Sequence, residues 1–244
     1  KEAIELAKQE GLDLIEISPN NIKKAFLCNS GTESVEAAIK FARSTTGKSK
    51  IISLMRGFHG KTCGSLAATH NRKYQEPFLP ILEGFKHIPA NNIEKLKETI
   101  NDQTAAVLVE LIQGEGGVRP LNLEYVQELR EITKKKDILL IVDEVQTGFG
   151  RTGKMFATAH YGIEPDIICC AKAVAGGVPM GITLCSKQIT APMKSHTSTF
   201  GGNPLACAAS LATIQFIQEN NLLKKVVELE SYFKQKLEKI NSKK

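Results

Sequence analysis

The pattern that most limits what this chain can become is an alternation between short apolar runs and stretches of helical spacing. Mostly apolar runs recur at Ala25–Cys28, Ile51–Leu54, Phe85–Ile88, Ala105–Leu111, Ile138–Val142, Ile167–Cys170 and Ile182–Cys185. Between them, apolar residues fall at helical intervals over Glu33–Arg43, Ile93–Ile100, Leu123–Lys135 and Pro204–Gln218. A strand that is apolar on both sides needs cover on both faces. The spacing therefore predicts an α/β class, with a mostly parallel central sheet and helices on both faces. In such sheets ligands bind beyond the carboxyl ends of the strands, and the polar motifs of this chain stand directly after its apolar runs.

With 244 residues, 42% of them hydrophobic, the chain can bury one large core. It holds no apolar run of membrane-spanning length, and its first residues, KEAIELAKQEG, form a charged amphipathic pattern unlike a signal peptide. The six cysteines, at 28, 63, 169, 170, 185 and 207, show no CxxC or Cys/His spacing. A reducing, cytoplasmic setting is expected, with no disulfide, no structural zinc and no other metal site. The formal net charge of +6 is uneven, because residues 221–244 carry seven lysines against three glutamates. The apolar residues there, from Leu222 to Ile240, keep roughly helical spacing, which indicates a solvated amphipathic helix. No basic patch is interleaved with aromatics, so neither nucleic acid nor a membrane is an expected partner.

The run Ile138–Val142 ends in two acids, Asp143 and Glu144. One machine that places a carboxylate there is a P-loop NTPase, whose strand-end aspartate helps to hold Mg²⁺. ARSTTGKS, residues 42–49, is a partial phosphate loop, but it has Ala42 where glycine is required. It also trails a helix and precedes a strand, the reverse of the working order. The other machine is a pyridoxal-phosphate site, which needs a lysine, a carboxylate for the pyridinium nitrogen, an anion cradle and a flat contact for the ring. Asp143 suits the nitrogen. Lys172, in DIICCAKAVAGG, follows an apolar run and precedes a glycine-rich turn. In CNSGTESVEAAIK, residues 28–40, a strand runs into Ser30, Gly31 and Thr32 and a helix begins at once. Free N–H groups at that terminus would favour a phosphate, and an ordinary helix cap would read the same way. In RGFHG, Phe58 suits a ring face or plain packing, and His59 a catalytic or merely local role.

Together, FLCNSGTESVEAAIKFAR, GFHGKT, VELIQGEGGV, IVDEVQTGFGRTGK, PDIICCAKAVAGG and TSTFGGNPLACAA resemble, in order, the segments of fold-type I, class III aminotransferases, over nearly the whole chain. The resemblance implies the large domain of a pyridoxal-phosphate transferase, working as a homodimer with active sites at the subunit interface. Lys172 would be the lysine that carries the cofactor and shuttles the proton. Asp143 would pair with the pyridinium nitrogen and Gln146 would contact the phenolic oxygen. Ser30, Gly31 and Thr32 would bind the phosphate, Phe58 would stack on the ring beside His59, and Thr199 would reach the partner subunit's phosphate. Glu110 and Glu115 match acids near the substrate. The family also implies that residues 1–218 are a large domain lacking its N-terminal part, and 219–244 the start of a small C-terminal domain.

There are departures. Glu110 is followed by Leu111 where the family usually has proline, and Ala175-Gly176-Gly177 stands for three glycines. Lys61 stands where ornithine and acetylornithine aminotransferases usually carry an arginine that grips a carboxylate in a bidentate fork. A diamine has no carboxylate, and the chain resembles putrescine aminotransferases in other segments as well. The expected reaction is therefore transfer of a terminal amino group from putrescine to 2-oxoglutarate, with an acetylornithine or ornithine donor as the alternative. Lys61 could still hold the 2-oxoglutarate carboxylate.

Overall fold

The computed structural model describes residues 2–191 and 195–240, with side chains from residue 5 onward. Helix α1 (Glu2–Glu16) leads into β1 (Ile22–Cys28), α2 (Gly31–Thr46), β2 (Lys50–Leu54) and two short helices, α3 (Cys63–Ala68) and α4 (Arg72–Gln75). Then come β3 (Phe85–Ile88), α5 (Ile93–Thr99), β4 (Thr104–Val109), a small hairpin of β5 (Ile112–Gln113) and β6 (Arg119–Pro120), α6 (Leu123–Lys135) and β7 (Leu139–Asp143). The chain continues through α7 (Thr158–Tyr161), β8 (Ile167–Cys170), a 3₁₀ turn (Lys172–Ala175) and β9 (Gly181–Ser186), and ends in α8 (Pro204–Glu219) and α9 (Leu222–Glu238).

Seven strands form one sheet in the order β1-β9-β8-β7-β4-β2-β3, parallel except that β9 runs against both neighbours. Every residue of β4, β7, β8 and β9 is buried, whereas the edge strands β1 and β3 are only partly so. The pleat sorts alternate residues to opposite faces. Leu108, Ile141, Ile167 and Cys169 pack under α2 through Val35, Ala38, Ile39 and Ala42. Val107, Leu140 and Val142 pack under α6 through Val126 and Leu129. Towards the β9 side, Ile168, Cys170, Ile182 and Leu184 pack with Ile214 and Cys207 of α8 and Leu14 of α1. Neighbouring Cys169 and Cys170 thus serve as small apolar groups on opposite faces, and burial holds both thiols well above their ordinary pKa.

All seven expected strands and all four expected helices form, with small shifts. The strand expected over 105–111 stops at Val109, and Glu110 leaves it for a loop that continues into the β5–β6 hairpin. Helix α2 begins two residues early, because Ser30 caps it by accepting from Glu33 N at 3.3 Å, and it ends at Gly47 in a left-handed conformation. The amphipathic tail becomes α9, in which no residue is buried and Val227, Leu229, Phe233 and Leu237 are exposed. Among the described residues, no helix is long and apolar enough to cross a membrane.

At the end of the sheet away from the polar motifs, buried Asp166 ties three elements together. Its carboxylate accepts from Arg130 Nη1 (2.7 Å) and Nη2 (3.1 Å) on α6, Leu140 N (2.8 Å) on β7 and Gln188 Nε2 (2.7 Å) after β9. Removing its charge leaves a largely buried guanidinium without its counter-ion. Asp166→Asn is expected to lower the unfolding free energy by about 3 kcal/mol, read as a fall in the urea midpoint at unchanged slope.

Candidate active site

The carboxyl ends of the parallel strands open onto a cavity of about 580 Å³. Asp143 closes β7 and points into this region while staying 5% exposed. Its Oδ2 accepts a hydrogen bond from His59 Nδ1 at 2.8 Å and its Oδ1 accepts from Val145 N at 3.0 Å. Burial is the largest influence on the His59 imidazole and pushes its pKa down. The hydrogen bond to Asp143, with the charges of Asp143 and Glu110, outweighs it and leaves the pKa above its ordinary value. Glu110, just beyond β4, is also buried and accepts from Phe58 N (2.9 Å) and Gly114 N (3.3 Å). Burial drives its pKa upward against the pull of His59. A carboxylate held in place, an imidazole beside it and a second carboxyl form one buried cluster.

The neighbouring Glu144 never reaches the cavity. It is 1% exposed, and its carboxylate accepts from the Thr147 hydroxyl and from Thr158 N at 2.9 Å. Of the two acids at the strand end, Asp143 faces the site and Glu144 fastens the loop that follows.

On another wall, β1 runs into the N-terminus of α2. Gly31 and Thr32 occupy the first positions of the helix, where N–H groups have no intrahelical acceptor and the helix dipole is positive. A Cβ on Gly31 would lie 2.8 Å from Val145 Cγ1, so the backbone approaches the loop after β7 more closely than a side chain would permit. The Thr32 hydroxyl is bonded to Thr62 Oγ1 (2.9 Å) and Ser65 Oγ (2.6 Å), which fastens the start of α2 to α3.

Lys172 follows β8 with φ +49°, a left-handed backbone that costs a non-glycine residue about 1–2 kcal/mol. Its ammonium donates to Gln146 Oε1 at 2.7 Å. At the rim, Lys61 Nζ sits 4.3 Å from the centre of the Tyr74 ring and 6.0 Å from that of Phe58. The Tyr74 hydroxyl donates to Glu115 Oε1 at 3.0 Å, and the Tyr74 and Phe58 rings meet edge to face at 6.0 Å.

Eleven residues singled out from sequence, Ser30, Gly31, Thr32, Phe58, His59, Lys61, Glu110, Glu115, Asp143, Gln146 and Lys172, line this one cavity. Thr199 does not. It is exposed and borders a separate depression with Asn29, Glu33 and Ser198. Sequence reasoning passed over Val145, whose place directly after Asp143-Glu144 was a usable signal. It also passed over Tyr74, which reaches the rim from α4, 13 positions beyond Lys61, with no signal in the sequence.

The family described as aminotransferase class-III matches residues 2–244. The chain is 47% identical over 245 residues to an acetylornithine aminotransferase of Methanocaldococcus jannaschii, covering 97% of this chain and 60% of that protein. It is 49% identical over 214 residues to an acetylornithine aminotransferase of Archaeoglobus fulgidus, covering 87% and 57%. The structure superposes on an ornithine aminotransferase from Toxoplasma gondii, crystallised with partial occupancy of PLP at its active site. The TM-score is 0.90 and the identity 30%, with 95% of this chain and 57% of that one covered. The chain therefore spans about 60% of the length of the relatives it matches.

The raised pKa of His59 sets a pH dependence. A group whose folded pKa lies above its unfolded one stabilises fully below the unfolded value, and that contribution is lost as pH rises through the folded value. In cofactor-free protein, the stability difference between the native chain and His59→Asn is expected to be largest below about pH 6.5. It should shrink progressively at more alkaline pH, as urea unfolding over a pH series would measure.

Proposed function

Because the chain belongs to the class III aminotransferases, we propose that the protein transfers the terminal amino group of an N-acylated ornithine to a 2-oxo acid such as 2-oxoglutarate. The observation that carries the choice of donor is the near-half identity, across almost the whole chain, to relatives named acetylornithine aminotransferase. This replaces the putrescine donor expected from Lys61 by the alternative set beside it. Lys61 itself supports the change. Its ammonium stands at the rim over Tyr74, where it attracts a carboxylate and repels the second ammonium of a diamine.

The cavity fits pyridoxal phosphate, the family's cofactor. The close approach at Gly31 leaves free N–H groups for an anion, Asp143 is a buried acceptor, and an amine and an aromatic ring share the same walls. When bound, that cofactor supplies an electron sink for the substrate carbon that loses a proton. Asp143 would keep a proton on the ring nitrogen, and His59 and the Val145 N–H hold its carboxylate in orientation. Gly31 and Thr32, at the start of α2, would bind the phosphate with Ser30. Phe58 would lie flat against the ring, on a loop that Glu110 holds by accepting its N–H. Gln146 orients the Lys172 ammonium, and Lys172 Nζ, once deprotonated, would carry the proton to and from the substrate carbon. Thr199, exposed and away from this cavity, would serve the partner subunit's cofactor in a homodimer.

In full-length protein, Lys172→Ala is expected to abolish the visible absorbance band that pyridoxal phosphate gives with the native protein. Borohydride reduction should then leave no cofactor mass on the peptide containing residue 172, and turnover should fall by about 10⁴-fold. The native protein should use acetylornithine with a higher kcat/KM than putrescine. The reverse order would restore the diamine donor, and turnover of neither would refute the proposal.

A further inference from the structure

Beside the cofactor cavity, with Phe58 and Glu115 as shared walls, lies a second cavity of about 760 Å³. Its lining carries three obligate cations, Arg56, Arg72 and Lys86, against one carboxylate, Glu115. Two of these four groups are already engaged. Arg72 Nε lies 3.4 Å from Glu76 Oε1, and Glu115 accepts from the Tyr74 hydroxyl at 3.0 Å. Among the described residues, the Arg56 guanidinium has neither an ion pair nor a hydrogen bond, and it is exposed.

The Arg56 backbone is held with unusual care for an exposed arginine. The chain leaves β2 at Leu54 and turns at once, with Gly57 N donating to Leu54 O at 3.0 Å and Arg56 at φ +66°. The preceding carbonyl, Met55 O, accepts from Gln113 Nε2 at 2.9 Å. A Cβ on Gly116 would fall 2.7 Å from Arg56 O and 3.2 Å from Arg56 Cβ, so only a glycine lets the segment after β5 press against this turn. A left-handed arginine kept in place by packing from another loop is the kind of strain found where a side chain must be aimed. Gly57, which follows, lines the same second cavity, and Phe58 after it stands in the wall that both cavities share.

We infer that this second cavity is a carboxylate subsite of the active site, and that Arg56 is the fork that holds a carboxylate of the amino donor or of the 2-oxo acid. For the identity of those ligands the inference rests on the transamination proposed above. Lys61 offers a point charge where a planar bidentate donor would be expected, and Arg56 supplies the missing geometry from the neighbouring wall. A diacid then meets two different cations, one at each cavity.

The test uses the full-length, cofactor-loaded protein with Arg56→Gln, Arg56→Lys and Arg56→Gly. Glycine accepts φ +66° without strain, so Arg56→Gly removes the side chain and is expected to leave the urea midpoint unchanged or higher. Calorimetric binding of glutarate, an unreactive diacid, should weaken about 10- to 100-fold in Arg56→Gln and Arg56→Gly, the loss expected for one charge-assisted pair, and less in Arg56→Lys. A matching rise in KM for acetylornithine alone assigns the subsite to the donor, and a rise for 2-oxoglutarate alone assigns it to the acceptor, with kcat little changed in either case. Unchanged glutarate affinity and unchanged KM values in Arg56→Gly would overturn the inference. So would an equal loss for amines that lack a carboxylate. Arg56-dependent glutarate binding in a protein that transaminates neither amine would leave the subsite standing and remove the proposed reaction instead.

Discussion

The site depends on seating one carboxyl group at the end of a fully buried strand. An isolated anion in that position would be expelled or neutralised, because burial penalises its charge by several kcal/mol. Asp143 is not isolated: it is bonded to the His59 imidazole and accepts the Val145 N–H. His59 bears the same burial penalty and overcomes it only because Asp143 and Glu110 stand beside it. The cluster is mutually supporting, and each member is costly without the others. That is why β2, β4 and β7, whose ends supply His59, Glu110 and Asp143, must lie next to one another in the sheet.

Around this cluster the walls are built from close backbone approaches and strained turns. The start of α2 can meet the loop after β7 only because residue 31 has no side chain. Lys172 and Arg56 both adopt left-handed backbones, each directly beyond or near a strand end. Side chains that leave the backbone in ordinary conformations would project elsewhere. The sheet behind them, with β4, β7, β8 and β9 wholly buried, provides the rigidity against which these costs are held.

Much of this could be read from the sequence, and the physical reason is local. A strand apolar on both faces and a helix with a polar cap announce themselves through nearest neighbours, so Ile138–Val142 and Glu33–Arg43 were visible. The placement of Asp143 and Lys172 directly after apolar runs carried the same information about the site. What could not be read depended on contacts between distant segments. The antiparallel course of β9 leaves no mark on Ile182–Cys185, whose pattern suits either direction. The role of His59 as the partner of Asp143, 84 positions away, is invisible without the sheet order. The surroundings of Lys61 were hidden for the same reason. Taken alone, the loss of an arginine suggested a substrate without a carboxylate, yet the Tyr74 ring that holds the ammonium at the rim arrives from another helix.

The distribution of charge across the site follows from this geometry and bears on the proposed choice of substrate. The inner wall holds two buried carboxyl groups, Asp143 and Glu110, beside the His59 imidazole, and the Lys172 amine lines the same cavity. The rim carries Lys61, and the adjoining cavity carries Arg56, Arg72 and Lys86 against Glu115. The approach to the cofactor cavity is thus lined mainly by cations. The acylated ornithine proposed above would have its acid end retained by these cations and its amino end directed inward. A diamine presents an ammonium at each end, and one of them must rest among the cations. Under the proposed function, discrimination between an acylated ornithine and a diamine would rest on the cations along this approach together with Lys61, and not on residue 61 alone.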